Sequence, residues 1–179
     1  FTITGTDHCD NVTSKTCTQT ITVTDEAAPV ITGGADETVQ CDGSGNTEAL
    51  NAWLNSHAGA TATDNCAIST FTSTHNSNDA FAVGTTTVTY TATDIHGNSS
   101  TSTFNVTVTD DEDTTISDMP PNITQTADAG VCNAVVTWAD PTTDDNCAIS
   151  TFTSTHNSGD TFNVGTTTVT YTSMDVNGN

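Results

Sequence analysis

Residues 85–94, TTTVTYTATD, set Val88, Tyr90 and Ala92 alternately against Thr87, Thr89, Thr91 and Thr93. A period of two is that of a half-buried antiparallel strand, so one face packs while the other presents a ladder of threonines. Phe104, Val106 and Val108 alternate with Asn105, Thr107 and Thr109 in the same way. The residues between, Ile95-His-Gly-Asn98, read as the turn of a hairpin, with Gly97 supplying a φ that other residues avoid. Threonine covers an exposed sheet face without making it sticky, because it is β-branched yet carries a hydroxyl. Short, regularly spaced strands with Gly, Asn and Asp turns predict an all-β fold of immunoglobulin-like sandwiches.

The same stretch occurs twice. Residues 64–98, DNCAISTFTSTHNSNDAFAVGTTTVTYTATDIHGN, return almost verbatim at 145–179, DNCAISTFTSTHNSGDTFNVGTTTVTYTSMDVNGN. The spacing is that of one small sandwich domain, which marks a tandem array. Phe1 to Asp7 reads like Val88 to Asp94, so the sequence opens inside a strand and closes at Asn179, the equivalent of Asn98. The expected organisation is therefore residues 1–27 as the end of one repeat, 28–112 as a whole repeat, and 113–179 as a repeat lacking its last strand, all within a longer chain.

One segment breaks the strand pattern. Leu50, Trp53 and Leu54 fall at i, i+3 and i+4 between Asn46 or Thr47 as a cap and Gly59 as a stop. This predicts a short amphipathic helix inserted in the middle repeat, where the following repeat has the strand-like residues 131–138, VCNAVVTW. Trp53 at helical spacing with two leucines belongs to the core rather than to a sugar-stacking platform.

Composition limits the partners. Twenty-two acidic residues stand against one basic residue, Lys15, for a formal net charge of −21. Attraction to nucleic acid or anionic lipid is excluded for such a segment, and cations are its natural counterpart. No apolar run approaches the roughly 20 residues needed to span a bilayer, so direct membrane insertion is not expected here. Six cysteines fall two to a repeat, without CxxC pairs or clustered histidines. That distribution predicts disulfides within repeats, Cys9–Cys17, Cys41–Cys66 and Cys132–Cys147, in an oxidising compartment.

Several stretches carry a family resemblance. Residues 83–94, VGTTTVTYTATD, followed by Gly97-Asn98, together with the strand ending Val106-Thr-Val-Thr-Asp110, Thr63-Asp-Asn-Cys66 and Ala28-Pro-Val-Ile31, resemble the hyalin-repeat (HYR) family over essentially the whole chain. The resemblance implies an immunoglobulin-like sandwich, an extracellular setting, and a role in adhesion or as tandem spacers of very long surface proteins. The cysteine-bearing version at residues 7–25 resembles giant surface proteins of Bacteroidota, gliding-motility adhesins among them. His96 and Ser102 stand where the first repeat has its cysteine pair, so disulfide placement differs between repeats. No catalytic residue is implied.

A direct search for chemistry agrees. GxSxG, HExxH, a phosphate-cradling glycine loop and the EF-hand pattern are all missing from the sequence. His75 and His156 are repeat equivalents in THNS loops, whereas catalysis needs one unique constellation. The chain is therefore expected not to be an enzyme.

The acidic residues offer a different chemistry. Asp25-Glu26 and Asp110-Asp111-Glu112-Asp113 fall at the junctions between repeats, with Asp64 or Asp145 and Asp94 or Asp175 at strand ends. Hard oxygen ligands gathered where two domains meet suit Ca²⁺, which takes six to eight of them. Left unneutralised, such carboxylates repel one another and the linker flexes. Asn-x-Ser/Thr sequons at Asn11, Asn98, Asn105 and Asn122, and an Asp113-Thr114 pair resembling a short O-glycosylation motif at Thr114, complete the inventory.

The functional expectation is a structural shaft of a long extracellular filament or adhesin. Its partners are other repeats of the same fibre and a surface ligand such as a polysaccharide. The alternatives are spacer domains of a secreted enzyme and a filament subunit that exchanges strands.

Overall fold

A computed structural model describes residues 2–6, 9, 12–16 and 18–179. The architecture is all-β with one helix, and its sheets are those of tandem β-sandwiches. At the N-terminal end β1 (Thr2–Thr6) pairs antiparallel with β2 (Val12–Thr16).

The middle repeat is built on two sheets. β3 (Val30–Gly33) pairs with β5 (Ala60–Thr63). The second sheet has the order β4 (Glu37–Gln40), β8 (Ser99–Thr109), β7 (Gly84–Asp94) and β6 (Ile68–Ser73), with β4 parallel to β8 and the other pairs antiparallel. The long hairpin β7–β8 runs eleven residues on each side, and its inward positions Val88, Tyr90, Ala92, Val106 and Val108 are buried.

The predicted helix is α1 (Thr47–Asn55), which lays Leu50, Trp53 and Leu54 on that sheet face. Asn46 enters it with a left-handed φ and makes no side-chain cap, so the helix is held by its apolar face and not by its terminus. Trp53 is anchored twice, ring edge toward Tyr90 and Nε1 donating to the Ala35 carbonyl at 2.9 Å. Its place is the core. Among the described residues no helix is long and apolar enough to cross a membrane.

The C-terminal repeat has β9 (Thr115–Ser117), β10 (Asn133–Val135), β11 (Thr142–Asp144), β12 (Ile149–Ser154), β13 (Thr161–Asn163) and β14 (Tyr171–Asp175). They pair as β9–β11, β10–β13 and β12–β14. The strand expected over residues 131–138 is thus only Asn133–Val135. β12–β14 repeats the register of β6–β7 down to the irregularity, between Ile149 and Thr151 here and between Ile68 and Thr70 there.

Identical sequence nevertheless behaves differently in the two repeats. Residues 84–89, GTTTVT, form the first half of β7 because β8 supplies hydrogen-bond partners. Residues 113–179 hold no counterpart of β8, so 165–170, also GTTTVT, stay irregular there, and β14 begins only at Tyr171, where β12 pairs with it. Val88 is fully buried while Val169 is half exposed. Strand formation here is dictated by the partner and not by propensity.

Amide hydrogen exchange reads this contrast within one molecule. Residues 84–89 are expected to exchange with the slow core, and residues 165–169 to exchange near the rate of open loops. Equal protection of the two stretches would contradict the account.

Candidate functional site

In each repeat a strand, β7 or β14, ends in an aspartate followed by a turn, Asp94-Ile-His-Gly-Asn98 in one and Asp175-Val-Asn-Gly-Asn179 in the other. The turn folds back on its own carboxylate. Asp94 Oδ1 accepts the amides of His96 and Asn98 at 2.8 and 2.9 Å, and its Oδ2 accepts Asn98 Nδ2 at 2.8 Å. Asp175 Oδ1 accepts the amides of Asn177, Gly178 and Asn179, and its Oδ2 accepts Asn179 Nδ2 at 3.0 Å. Gly97 and Gly178 have φ of 94° and 101°, the left-handed region that lets amides converge on one oxygen.

These two aspartates are almost completely buried, 2% and 1% exposed. Burial pushes their pKa values up, but the hydrogen bonds from the turn, to Asn98 and to Asn179, outweigh it. Both carboxyls end below their ordinary value of 3.8.

The terminal asparagine of the turn also reaches the junction. Asn98 Nδ2 donates to the Asp25 carbonyl at 3.2 Å and Asn179 Nδ2 to the Asp110 carbonyl at 3.0 Å. The Asp25 carboxylate accepts Asn65 Nδ2 at 3.1 Å and lies 3.2 Å from His96 Nδ1. The hydrogen bond from Asn65 is the main influence holding its pKa down, helped by one from the Cys66 thiol. The Asp110 carboxylate accepts Asn177 Nδ2, which stands where His96 does in the repeat before.

Two carboxylate triads result. Asp25, Asp64 and Asp94 each bring an oxygen within 4.8 Å of the others, and Asp110, Asp145 and Asp175 do the same. Oxygens around one Ca²⁺ at about 2.3–2.6 Å can be separated by no more than about twice that distance, so the spacing fits a shared ion. In both triads one aspartate lies in the segment before a repeat's first strand, β3 or β9, and two come from later in that same repeat.

The middle member is poised alike in both. Asp64 Oδ1 accepts the Cys66 amide at 2.9 Å and Asp145 Oδ1 the Cys147 amide at 2.8 Å. Asp64 Oδ2, Asp145 Oδ2 and Asp110 Oδ1 are buried without any hydrogen-bond partner. A buried anionic oxygen without a partner is costly unless a cation or a proton meets it. Asp25, Cys66 and His96 also cluster, but that softer ligand set is not repeated, since Asn177 and a disulfide-bonded Cys147 replace it.

Six of the ten acidic candidates thus come together. Glu26, Asp111, Glu112 and Asp113 do not; they lie exposed on the linker, with Asp111 accepting from Gln40. Asn65, Asn146, Asn98 and Asn179 were missing from the sequence reading as site residues, although their fixed distance from the aspartates in both copies was a usable signal. The side-chain amide of Asn98 is engaged on Asp94 and Asp25, which leaves it poorly placed for glycosylation. Thr114 is half-buried beside β9.

The cysteines pair otherwise than expected. Cys41 is bonded to Cys147 of the next repeat, with Cα atoms 5.6 Å apart, while Cys66 and Cys132 are exposed thiols. Neither Cys41–Cys66 nor Cys132–Cys147 forms. Cys41 follows β4 and its amide donates to the Thr109 carbonyl, at the far end of β8. Cys66 precedes β6, whose Ile68 is in register with Asp94 at the near end of the hairpin. Strands of eleven residues separate those ends by about 30 Å, far beyond the roughly 7 Å that a disulfide spans. The Cys9–Cys17 expectation lies outside the described residues, because Cys17 is not among them.

The bridge sits in a close joint. Asn146 Nδ2 donates to the Cys41 carbonyl at 3.0 Å. A Cβ on Gly43 would stand 3.1 Å from the Asn146 carbonyl oxygen, and its φ is 67°, so glycine permits the loop after β4 to approach the next repeat.

A family model, the HYR domain, matches residues 25–108 and 110–179, and the chain belongs to that family. HYR domains are repeated domains of extracellular and cell-surface proteins. No curated protein matches the chain.

The lowered pKa values of Asp94 and Asp175 fix a sign. Their ionised forms contribute stability at neutral pH, and the contribution is lost as pH falls below about 3.8 toward the lower folded values. In EDTA, the thermal midpoint should fall along that acid limb. The double variant Asp94→Asn, Asp175→Asn should start lower at neutral pH and show a shallower limb; an unchanged limb would exclude these two groups as its cause.

Proposed function

We propose that this pair of HYR domains is part of the shaft of a long extracellular filament or adhesin, in which repeats are held in fixed succession by their joints. The observation that carries the reading is the duplicated joint: the same aspartate, asparagine and turn geometry recurs at Asp25 and at Asp110. An active site needs one asymmetric constellation, whereas a shaft needs one joint copied many times. Threonine-faced sheets and a surface with one basic residue keep such a fibre from adhering to itself. The reading extends the resemblance to giant bacterial surface adhesins, with attachment to a surface ligand such as a polysaccharide supplied elsewhere in the assembly.

In-frame deletion of these repeats from the gene should shorten the surface fibre seen by electron microscopy and weaken attachment, leaving secreted hydrolytic activities unchanged. Loss of a hydrolytic activity at unchanged fibre length would favour spacer domains of an enzyme instead.

The triads are assigned to Ca²⁺ within this reading. Three carboxylates converge with unpartnered buried oxygens, the charge is strongly negative, and all the donors are hard oxygens. A bound ion would neutralise the repulsion at each junction and stiffen it. Calcium at about a hundred times its Kd should stabilise each site by about 2.7 kcal/mol. Calorimetric titration should show two sites, reduced to none in Asp64→Asn, Asp145→Asn. A thermal midpoint identical in calcium and in EDTA would leave hydrogen-bonded acidic turns only.

A further inference from the structure

The Cys41–Cys147 bridge is tied on each side to a member of the second carboxylate triad. On one side the Cys41 amide donates to the Thr109 carbonyl at 2.8 Å, and Asp110 is the next residue. On the other the Cys147 amide donates to Asp145 Oδ1 at 2.8 Å. Asn146, between that aspartate and that cysteine, sends its Nδ2 across to the Cys41 carbonyl at 3.0 Å.

The three aspartates of the triad are held in different ways. Asp175 is fixed within its own turn by the amides of Asn177, Gly178 and Asn179. Asp110 and Asp145 belong to separate elements, the residue after β8 and the loop between β11 and β12. Hydrogen bonds link both to the Asp175 turn: Asn177 Nδ2 and Asn179 Nδ2 donate to Asp110, and the Val176 amide donates to the Ala148 carbonyl at 3.0 Å. Such bonds are individually weak where water competes for the same groups. The disulfide is a covalent tie across the same gap. Asp110 Oδ1 and Asp145 Oδ2, on the two sides of that gap, are buried oxygens without a partner. Carboxylates brought so close repel one another, so an outside constraint must hold them together until a cation arrives.

We infer that the bridge sets the calcium affinity of the triad beside it, an inference that rests on the assignment of the triads to Ca²⁺. Closed, the bridge keeps Asp110 and Asp145 at ligand spacing, and the ion meets a site already assembled. Reduced, it lets the end of β8 and the β11–β12 loop part, and binding must then gather the ligands against their repulsion. The coupling is reciprocal by linkage: calcium that draws the two aspartates together also draws the two sulfurs together, and the bridge becomes harder to reduce. Opening takes two electrons. Two glutathione thiols are oxidised to one glutathione disulfide, and their protons pass to the Cys41 and Cys147 thiolates. The joint therefore stiffens fully only when it is both oxidised and loaded with calcium.

Two measurements test the coupling from its two sides. Calcium is titrated calorimetrically into the Asp64→Asn chain, which keeps the second site alone, with the bridge formed and again with Cys41→Ser added. The Kd is expected to rise about tenfold without the bridge, inside the range of about 5- to 150-fold usual for coupled sites. In the Asp145→Asn chain, which keeps the first site alone, Cys41→Ser should leave the Kd unaltered. The second measurement replaces no cysteine: the chain is equilibrated with a glutathione redox buffer in saturating calcium or in EDTA, alkylated, and its Cys41 and Cys147 peptides are quantified by mass spectrometry. Calcium should shift the equilibrium toward the bridge by the same factor, and Asp145→Asn should abolish that shift. Equal Kd with and without the bridge, or a redox equilibrium indifferent to calcium, would overturn the inference and leave the calcium assignment standing. Failure of the oxidised chain to bind calcium at all would overturn that assignment and the inference together.

Discussion

The length of one hairpin governs how these repeats connect. An eleven-residue β7–β8 ladder holds its two ends about 30 Å apart, and the two cysteine types sit at opposite ends. No bond within a repeat can join them, so the bond that does form, Cys41–Cys147, runs between repeats. Closing a loop with a sequence separation of 106 residues restricts the unfolded chain more than a short loop would, by about 4.7 kcal/mol against about 3 in the chain-entropy description. Its second effect is on the folded state, where it fixes the loop after β4 against residues 145–147 at a contact that Gly43 keeps close.

The aspartates complete the joint by a different route. Asp94 and Asp175 are spent on their own turns, which explains their burial without any ion. The convergence of Asp64 and Asp25, or of Asp145 and Asp110, on the same point is not explained by those turns, and it leaves carboxylate oxygens buried and unpaired. Asn98 and Asn179 tie the Asp25 and Asp110 backbone carbonyls to the turns but do not reach those oxygens. Charge and turn geometry thus meet at the same end of both repeats, joined at the second by the covalent bond, while the threonine-covered faces between stay plain.

Much of this was legible in the sequence, for reasons that differ by element. The alternation in residues 85–94 and the i, i+3, i+4 pattern of Leu50, Trp53 and Leu54 are local signals, and the strand and helix follow them. The acidic candidates were found by type and position at junctions, but the linear run Asp110 to Asp113 misled, because only its first residue faces the triad. The cysteine pairing was misread because counting two per repeat carries no information about which end of a strand each occupies. The irregular segment 165–170 shows the same limit: its sequence equals that of a strand, and only the partner strand decides.

The central claim is that consecutive repeats are locked at a common joint. Small-angle X-ray scattering of the oxidised chain, set beside that of Cys41→Ser, tests it most directly. The account predicts that one arrangement of the two repeats fits the oxidised profile while the variant requires a spread of arrangements. An oxidised chain needing the same spread as Cys41→Ser would contradict it.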